Sequence, residues 1–207
     1  MAEPMHLANL LTETVRQYPD QLALCAGDSR LSYAALGDEV ARLGGWLIER
    51  GGITPGDRVA IMLPNVPEFV IIYHAVQRAG GIIVPMNVLL RQREIAFYLS
   101  DSGASLAFVW EGFVGEARAG AEAAGVPLQV VGSRSLSQLP APATRLTTTV
   151  ERADVDTAVI LYTSGTTGTP KGAELTHANM VRNARVSQSL FALNESDAVL
   201  GALPLFH

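Results

Sequence analysis

The feature that most constrains the fold is an alternation, beginning at Asp57, of short apolar runs with amphipathic helical segments. The runs cover residues 59–63, 82–84 and 106–109, which are apolar at every position, and 128–131, which is apolar except at Gln129. A strand that is apolar on both faces is typical of a parallel sheet covered by helices on each side. The sequence therefore predicts an α/β fold, a mostly parallel sheet with helices on both faces.

Upstream of this alternation, apolar periodicity predicts a helix over residues 7–18, a hairpin over 22–32, and a second helix that ends near Gly51. Cys25 lies between Leu24 and Ala26, and we expect its side chain to be a small buried group. As the single cysteine of the chain it cannot form an internal disulfide.

Composition excludes several function classes. Hydrophobic residues make up 48% and charged residues 17%, which indicates a packed core rather than a disordered tail. A net charge of −5 argues against a general nucleic-acid-binding surface. The longest apolar runs are far shorter than the roughly 20 residues that cross a bilayer, and the N-terminus lacks a basic head. We expect a cytoplasmic protein with no membrane span and no nucleic-acid partner.

Residues 133–154 are rich in Ser, Thr, Pro and Arg, and this change of composition predicts a surface linker. An apolar run over 158–161 then predicts another strand, and 173–176 predicts a further one. Near the end of the chain, the apolar segment 199–206 predicts a strand that pairs with neighbouring strands. We see no internal repeat.

The chemistry-bearing segment is the loop at residues 163–172, which follows the strand at 158–161. It holds five hydroxyl side chains, three glycines and Lys171, the only lysine of the chain. Glycine allows the backbone to approach an oxyanion closely, hydroxyls add neutral donors, and an ammonium adds a point charge. This composition predicts a cradle for a polyphosphate.

This loop differs from the P-loop of common nucleoside triphosphatases. In that loop the lysine follows a glycine and is followed directly by Ser or Thr and a helix. Here Lys171 lies between Pro170 and Gly172, and a strand follows before Thr176, a good helix N-cap. The pattern predicts a strand–loop–strand phosphate loop, and the alternative is a Gly/Thr-rich surface hairpin with an incidental lysine.

At this point the sequence resembles the adenylate-forming superfamily: acyl-CoA synthetases, the adenylation domains of peptide synthetases, and beetle luciferases. The family's signature loop is matched at 163–172, and 174–179 and 31–36 are also similar to it. The stretches 79–87 and 101–104 resemble the acyl-CoA ligase branch in particular. The resemblance covers nearly the whole chain.

The resemblance implies that residues 1–207 are part of the N-terminal domain of a protein more than twice as long, with the C-terminal domain absent. It implies a parent enzyme that joins a carboxylic acid, by expectation a fatty acid, to coenzyme A at the expense of ATP, through an acyl-adenylate. Mg²⁺ is the implied metal cofactor. The resemblance implies that the 207 residues are inactive alone.

By the same resemblance, the β- and γ-phosphates of ATP contact a set of loop residues: Thr163, Ser164, Gly165, Thr166, Thr167, Gly168 and Thr169. Lys171 also belongs to the nucleotide-binding loop, where it is expected either to act electrostatically or to anchor the loop. Thr163 is also the expected neighbour of the metal. In the family pattern His207 lies by the adenylate and the acyl pocket, and it is the candidate catalytic residue.

Other polar residues receive structural interpretations. His6, His74 and His177 are expected to cap or pack rather than to react. Arg91 and Arg93 beside Glu94 are expected to form a solvated helix start, and Asp101 is expected to be solvated in the same way.

Two other functions stay open. One is an amino-acid adenylation domain that feeds a carrier protein, and the other is a stand-alone nucleotide-binding or interaction protein without catalysis. Because a partial sheet leaves an open edge or apolar patch, self-association is also expected.

Overall fold

The computed structural model describes residues 6–133, 135–163 and 169–206. Its helices are α1 (Leu7–Gln17), α2 (Tyr33–Glu49), α3 (Pro67–Arg78), α4 (Gln92–Ser102), α5 (Val114–Ala124) and α6 (His177–Leu190). Its strands are β1 (Leu22–Ala26), β2 (Ser29–Ser32), β3 (Arg58–Met62), β4 (Ile82–Pro85), β5 (Ala104–Trp110), β6 (Leu128–Val131), β7 (Thr157–Thr163) and β8 (Lys171–Thr176). The strands of the main sheet lie within two residues of their predicted bounds.

The main sheet confirms the predicted fold class. Within the described residues, six strands follow the order β6-β5-β3-β4-β7-β8. Neighbouring strands are parallel except for β7 and β8, which are antiparallel. The inner strands β3 and β4 are buried at nearly every position, as their continuous apolar sequence predicts.

Helices cover the two faces of the sheet with two separate hydrophobic clusters. Val59 and Ile61 of β3 pack into one cluster with residues of α1, α2 and α3. Ala60 and Met62, which alternate with them, pack into the other cluster with residues of α4 and α5. The connection that follows β3 therefore leaves toward one face, through α3, and the connection that follows β4 leaves toward the opposite face, through α4.

The hairpin of β1 and β2 forms a two-stranded sheet of its own, and there the prediction for Cys25 is wrong. Ala23 and Leu24 pack against the main cluster, but Cys25 is exposed. The hairpin lies at the border of the domain, so only part of it is covered. Apolar flanking residues in the sequence did not distinguish this small hairpin from an interior strand.

Residues 135–146, within the predicted linker, lie along α2. They contain a 3₁₀ turn at Ser135–Gln138, and the amide of Leu146 donates to the carbonyl of Ala41 at 2.8 Å. The Glu49 carboxylate accepts the amides of residues 143 and 144. A Cβ on Gly45 would lie 2.2 Å from the carbonyl oxygen of Thr144, so the glycine allows this close approach.

The strand predicted over 199–206 is wrong. Residues 199–206 contain bends and turns but no strand. Leu200 and Leu203 are 88% and 81% exposed. Apolar character alone does not form a strand, because a strand needs a hydrogen-bonding neighbour, and this backbone instead bonds to the Asn65 side chain.

Candidate functional site

The candidate site is the hairpin of β7 and β8, whose strands confirm the predicted strand–loop–strand arrangement. Thr163 pairs with Lys171 in the antiparallel register, and Tyr162 pairs with Gly172. The two ends of the loop therefore lie side by side. Because β7 is parallel to β4, Thr163 is at the carboxyl edge of the sheet, where α/β proteins commonly bind ligands.

The predicted phosphate-binding residues fall into two groups. Thr163, Thr169 and Lys171 are described, and all are exposed to solvent at the open end of the hairpin. The remaining predicted loop residues lie outside the described residues, and they are Ser164, Gly165, Thr166, Thr167 and Gly168. The candidate catalytic residue His207 also lies outside the described part of the chain.

Gly172 is required by the close approach of β8 to β7. A Cβ at this position would lie 2.9 Å from Cγ2 of Ile160 and 3.3 Å from the Tyr162 ring. Any side chain would push the strand away from that ring. The glycine directly after Lys171 thus keeps the lysine opposite Thr163.

Sequence reasoning missed Tyr162, which fixes the base of the loop. Its hydroxyl donates to the Asp101 carboxylate at 2.6 Å, and its ring stacks on Tyr98 with centroids 4.1 Å apart. Burial, followed by the bond to the Asp101 carboxylate, raises the pKa of Tyr162 above its ordinary value. The signal available in the sequence was an aromatic residue directly before the loop.

Asp101 therefore requires a correction. The sequence placed it on a solvated face, but its carboxylate accepts the Tyr162 hydroxyl and so joins the end of α4 to β7. By contrast, the expectation for the start of α4 is confirmed: Arg91 is exposed, and Glu94 accepts the Arg91 amide in a capping box. The Arg91 guanidinium contacts Glu116 only at 3.4 Å in an exposed pair.

The described histidines have structural roles, as predicted. His177 follows the N-cap Thr176, is buried, and accepts the amide of Leu7 at 3.2 Å. Its ring lies 4.2 Å from that of His6, which caps α1. Burial first, then the charges of His6 and Arg152, lower the pKa of His177 to about 4.

His74 on α3 is also held neutral. Burial, and then the neighbouring Arg78, lower its pKa to about 4. The described residues contain no group of three or more His, Cys, Asp or Glu side chains arranged to hold a metal ion. Among the same residues, no helix is both long enough and apolar enough to span a bilayer.

Comparison with known proteins matches residues 11–207 to the family described as AMP-binding enzyme. An oxalate–CoA ligase of Arabidopsis thaliana is 35% identical over 214 residues, covering 97% of this chain and 41% of that protein. The structure of ATP-bound MatB from Rhodopseudomonas palustris is 27% identical, with a TM-score of 0.84, covering 99% of this chain and 41% of the other. A long-chain-fatty-acid–CoA ligase (FadD1) from Archaeoglobus fulgidus is 26% identical, with a TM-score of 0.88, covering 98% and 43%.

The chain spans 41% of the length of each of the first two curated relatives. The family match extends over nearly the whole chain, and the solved structures share its fold over the same length. The resemblance read from the loop is thereby confirmed. The chain belongs to the AMP-binding enzyme family, with CoA ligases among its relatives.

Proposed function

We propose that this chain is the phosphate-binding part of an ATP-dependent acyl-CoA synthetase, an AMP-forming acid–thiol ligase. The observation that carries the proposal is the register of the β7–β8 hairpin, which brings Thr163 and Lys171 together at the carboxyl edge of a buried parallel strand. The ATP-bound state of MatB and the CoA-ligase names of the relatives support ATP and coenzyme A as the substrates.

The proposed reaction has two steps. An oxygen of the carboxylic acid attacks the α-phosphorus of ATP, the bond to the bridging oxygen of the β-phosphate breaks, and pyrophosphate leaves. The thiolate of coenzyme A then attacks the acyl carbonyl, and AMP leaves with the electron pair of the acyl–oxygen bond. In the first step the protein must hold the β,γ-diphosphate and stabilise its growing charge.

The donors of the loop suit that task. Hydroxyl and amide donors of 163–169 would bind the β- and γ-phosphate oxygens, and the Lys171 ammonium would stabilise the charge that grows on pyrophosphate. Mg²⁺ is commonly bound through substrate phosphates together with one or two protein groups. The Thr163 hydroxyl is the group that we assign to the metal. We keep His207 as the candidate catalytic residue, beside the adenylate and the acyl pocket.

The same proposal includes the carboxylic substrate, the location of the protein and the acceptor of the acyl group. We infer a fatty acid as the carboxylic substrate, which the fatty-acid ligase among the similar structures supports. We infer a cytoplasmic location, and we expect no turnover from the 207 residues alone. The CoA-ligase names of the relatives favour coenzyme A over a carrier protein as the acyl acceptor.

Binding of pyrophosphate and ATP to the 207-residue chain tests the proposal. We expect Lys171→Ala to weaken both affinities by about 10- to 150-fold, because a hydrogen bond between charged groups contributes about 1.5–3 kcal/mol. The measurement is isothermal titration calorimetry at two salt concentrations. The matched control is Arg182→Ala, which removes an equally exposed cation from α6 and should leave both affinities unchanged.

Two results would contradict the proposal. If the unmodified chain binds neither pyrophosphate nor ATP, the phosphate-binding function is wrong. If Lys171→Ala and Arg182→Ala weaken binding equally, the effect is one of overall charge and Lys171 has no specific role. Equal unfolding midpoints for the three proteins would show that the lysine change acts on binding and leaves the fold intact.

A further inference from the structure

Polar residues follow three adjacent strands at the carboxyl edge of the sheet. Asn65 comes shortly after β3, Asn87 shortly after β4, and Thr163 ends β7. The chain leaves β3 toward one face and β4 toward the other, so the edge between them is the topological switch point of the sheet. In open α/β sheets the crevice at such a point is the usual place for a ligand.

The Asn65 side chain binds a distant part of the chain at this edge. Its Nδ2 donates to the carbonyl oxygens of Gly201 at 2.9 Å and Leu203 at 2.8 Å. Its Oδ1 accepts the amide of Leu205 at 2.9 Å. The amide group thus uses both its donor end and its acceptor end, which neither Asp nor Leu can reproduce.

Asn65 lies in a bend, and the segment that it binds is exposed at most positions. Asn65 lies between β3 and α3, where the amide of Val66 donates to the carbonyl of Pro64 at 2.9 Å. The side chains of Leu200 and Leu203 are almost fully exposed, so their burial contributes little to the position of 201–205. The hydrogen bonds to Asn65 therefore determine much of where this backbone lies.

We propose that Asn65 is a positioning residue that holds residues 201–205 beside the switch-point crevice, as a wall for the part of the ligand beyond the phosphates. This inference rests on the proposed function. Because neighbouring strands are about 4.8 Å apart, β3 lies about 10 Å from the base of the phosphate loop on β7. A nucleotide held by its phosphates at β7 reaches that far with its nucleoside or with the acid joined to it.

The test compares Asn65→Asp and Asn65→Ala with the unmodified 207-residue chain. Asn65→Asp keeps the size but loses both donors and places a charge against two carbonyls, and Asn65→Ala removes the group without adding charge. Hydrogen–deuterium exchange over 199–206 reports on the anchor, and calorimetry with ATP and with pyrophosphate reports on the ligand. Asn183→Asp, an exposed change on α6, is the matched control.

We expect Asn65→Ala, which removes the acceptor, to exchange the Leu205 amide about tenfold faster, and both Asn65 variants to bind ATP about tenfold more weakly. Pyrophosphate affinity should stay within about twofold of the unmodified chain, since only the loop is expected to bind it. Asn183→Asp should change none of these. The same unfolding midpoint in all four proteins would show that the fold is kept.

The contrary outcomes separate this inference from the proposed function. Unchanged exchange at Leu205 in Asn65→Ala would overturn the anchor. Faster exchange with unchanged ATP affinity would overturn the positioning role while the phosphate-binding function stands. An unmodified chain that binds no ATP would overturn the proposed function and with it the role of the wall, whatever the exchange shows.

Discussion

The centre of the sheet and the last part of the chain are stabilised by different means. Val59, Ile61 and Leu63 in and just after β3 are fully buried between two layers of helices. Leu200 and Leu203 are similar in size and polarity, yet they are 88% and 81% exposed. At the centre, the burial of apolar side chains stabilises the position of the backbone. Near residue 200, the hydrogen bonds of the Asn65 side chain stabilise it instead.

The candidate site combines features of both regions, because burial decreases along its two strands toward the loop. β7 is buried over its first half and exposed at Thr163, and β8 is exposed at its first four positions. Local stability in proteins spans a wide range, and ligand-binding segments belong to the less stable end of it. The buried first half of β7 therefore positions Thr163 at the exposed end of the strand.

The largest expected effect comes from a change at the centre. Phe108 on β5 is fully buried and packs near Trp46, with ring centroids 6.2 Å apart. We expect Phe108→Ala to lower the free energy of unfolding by about 3–5 kcal/mol, because it leaves a cavity. Leu200→Ala should lower it by about 0.5 kcal/mol or less. Urea unfolding measures both, and losses of similar size would contradict the contrast between the two regions.

The next effect concerns the contact between α1 and α6, where His6 and His177 meet. Burial lowers the pKa of both rings, that of His177 to about 4. The positive charge of Arg152 also lowers the pKa of both rings. The negative charge of Asp154 raises the pKa of both, and that of Asp156 raises the pKa of His177 only. Because the unfolded state then binds more protons below pH 6.5, the free energy of unfolding should fall as the pH drops from 6.5 toward 4.

His177→Asn isolates that effect. The asparagine oxygen can accept the Leu7 amide in place of Nδ1 but does not titrate. We expect the slope between pH 6.5 and 4 to become shallower by up to about 1.4 kcal/mol per pH unit. Urea unfolding across this range provides the measurement. An unchanged slope would show that folding does not lower the pKa of His177 and that other groups, such as His74, determine the acid sensitivity.

The sheet was predictable from the sequence because its signal is local and repeated. The buried stretches of β3, β4 and β5 are continuous apolar runs, and the helices carry apolar residues at helical spacing, so the α/β class followed directly. The hairpin around the phosphate loop was predictable for a similar reason. Pro170 before Lys171 and Gly172 after it both disfavour a helix at this point. Thr176 as the N-cap of α6 was also confirmed.

The contacts that hold the site together were not predictable, because they join residues far apart in the chain. The Tyr162 hydroxyl meets Asp101 across 61 positions, and Asn65 meets Leu205 across 140. Neither pair has a spacing that a periodic pattern reveals. The errors at Cys25 and at 199–206 have the same origin: apolar character predicts burial only when the fold supplies a covering surface.

The smallest expected effect tests whether the exposed region binds a second copy of the chain. Leu190, Phe191 and Val199 are 74%, 69% and 76% exposed, in addition to the two leucines near residue 200. Exposed apolar groups of this size commonly mark contact surfaces. We propose weak self-association through them, seen as a sedimentation coefficient that rises with concentration in analytical ultracentrifugation.

Phe191→Ser should reduce that association because it removes the largest of these apolar side chains. Its effect on the free energy of unfolding should be small, about 0.5 kcal/mol or less, since the ring is exposed in the single chain. The control is Leu89→Ser, which removes a side chain that is 74% exposed at a separate position, after β4. A monomer at every concentration, or equal loss of association in both variants, would show that the exposed region near α6 is not a self-association surface. The difference between this exposed region and the buried centre of the sheet would then concern local stability and not binding to a second copy.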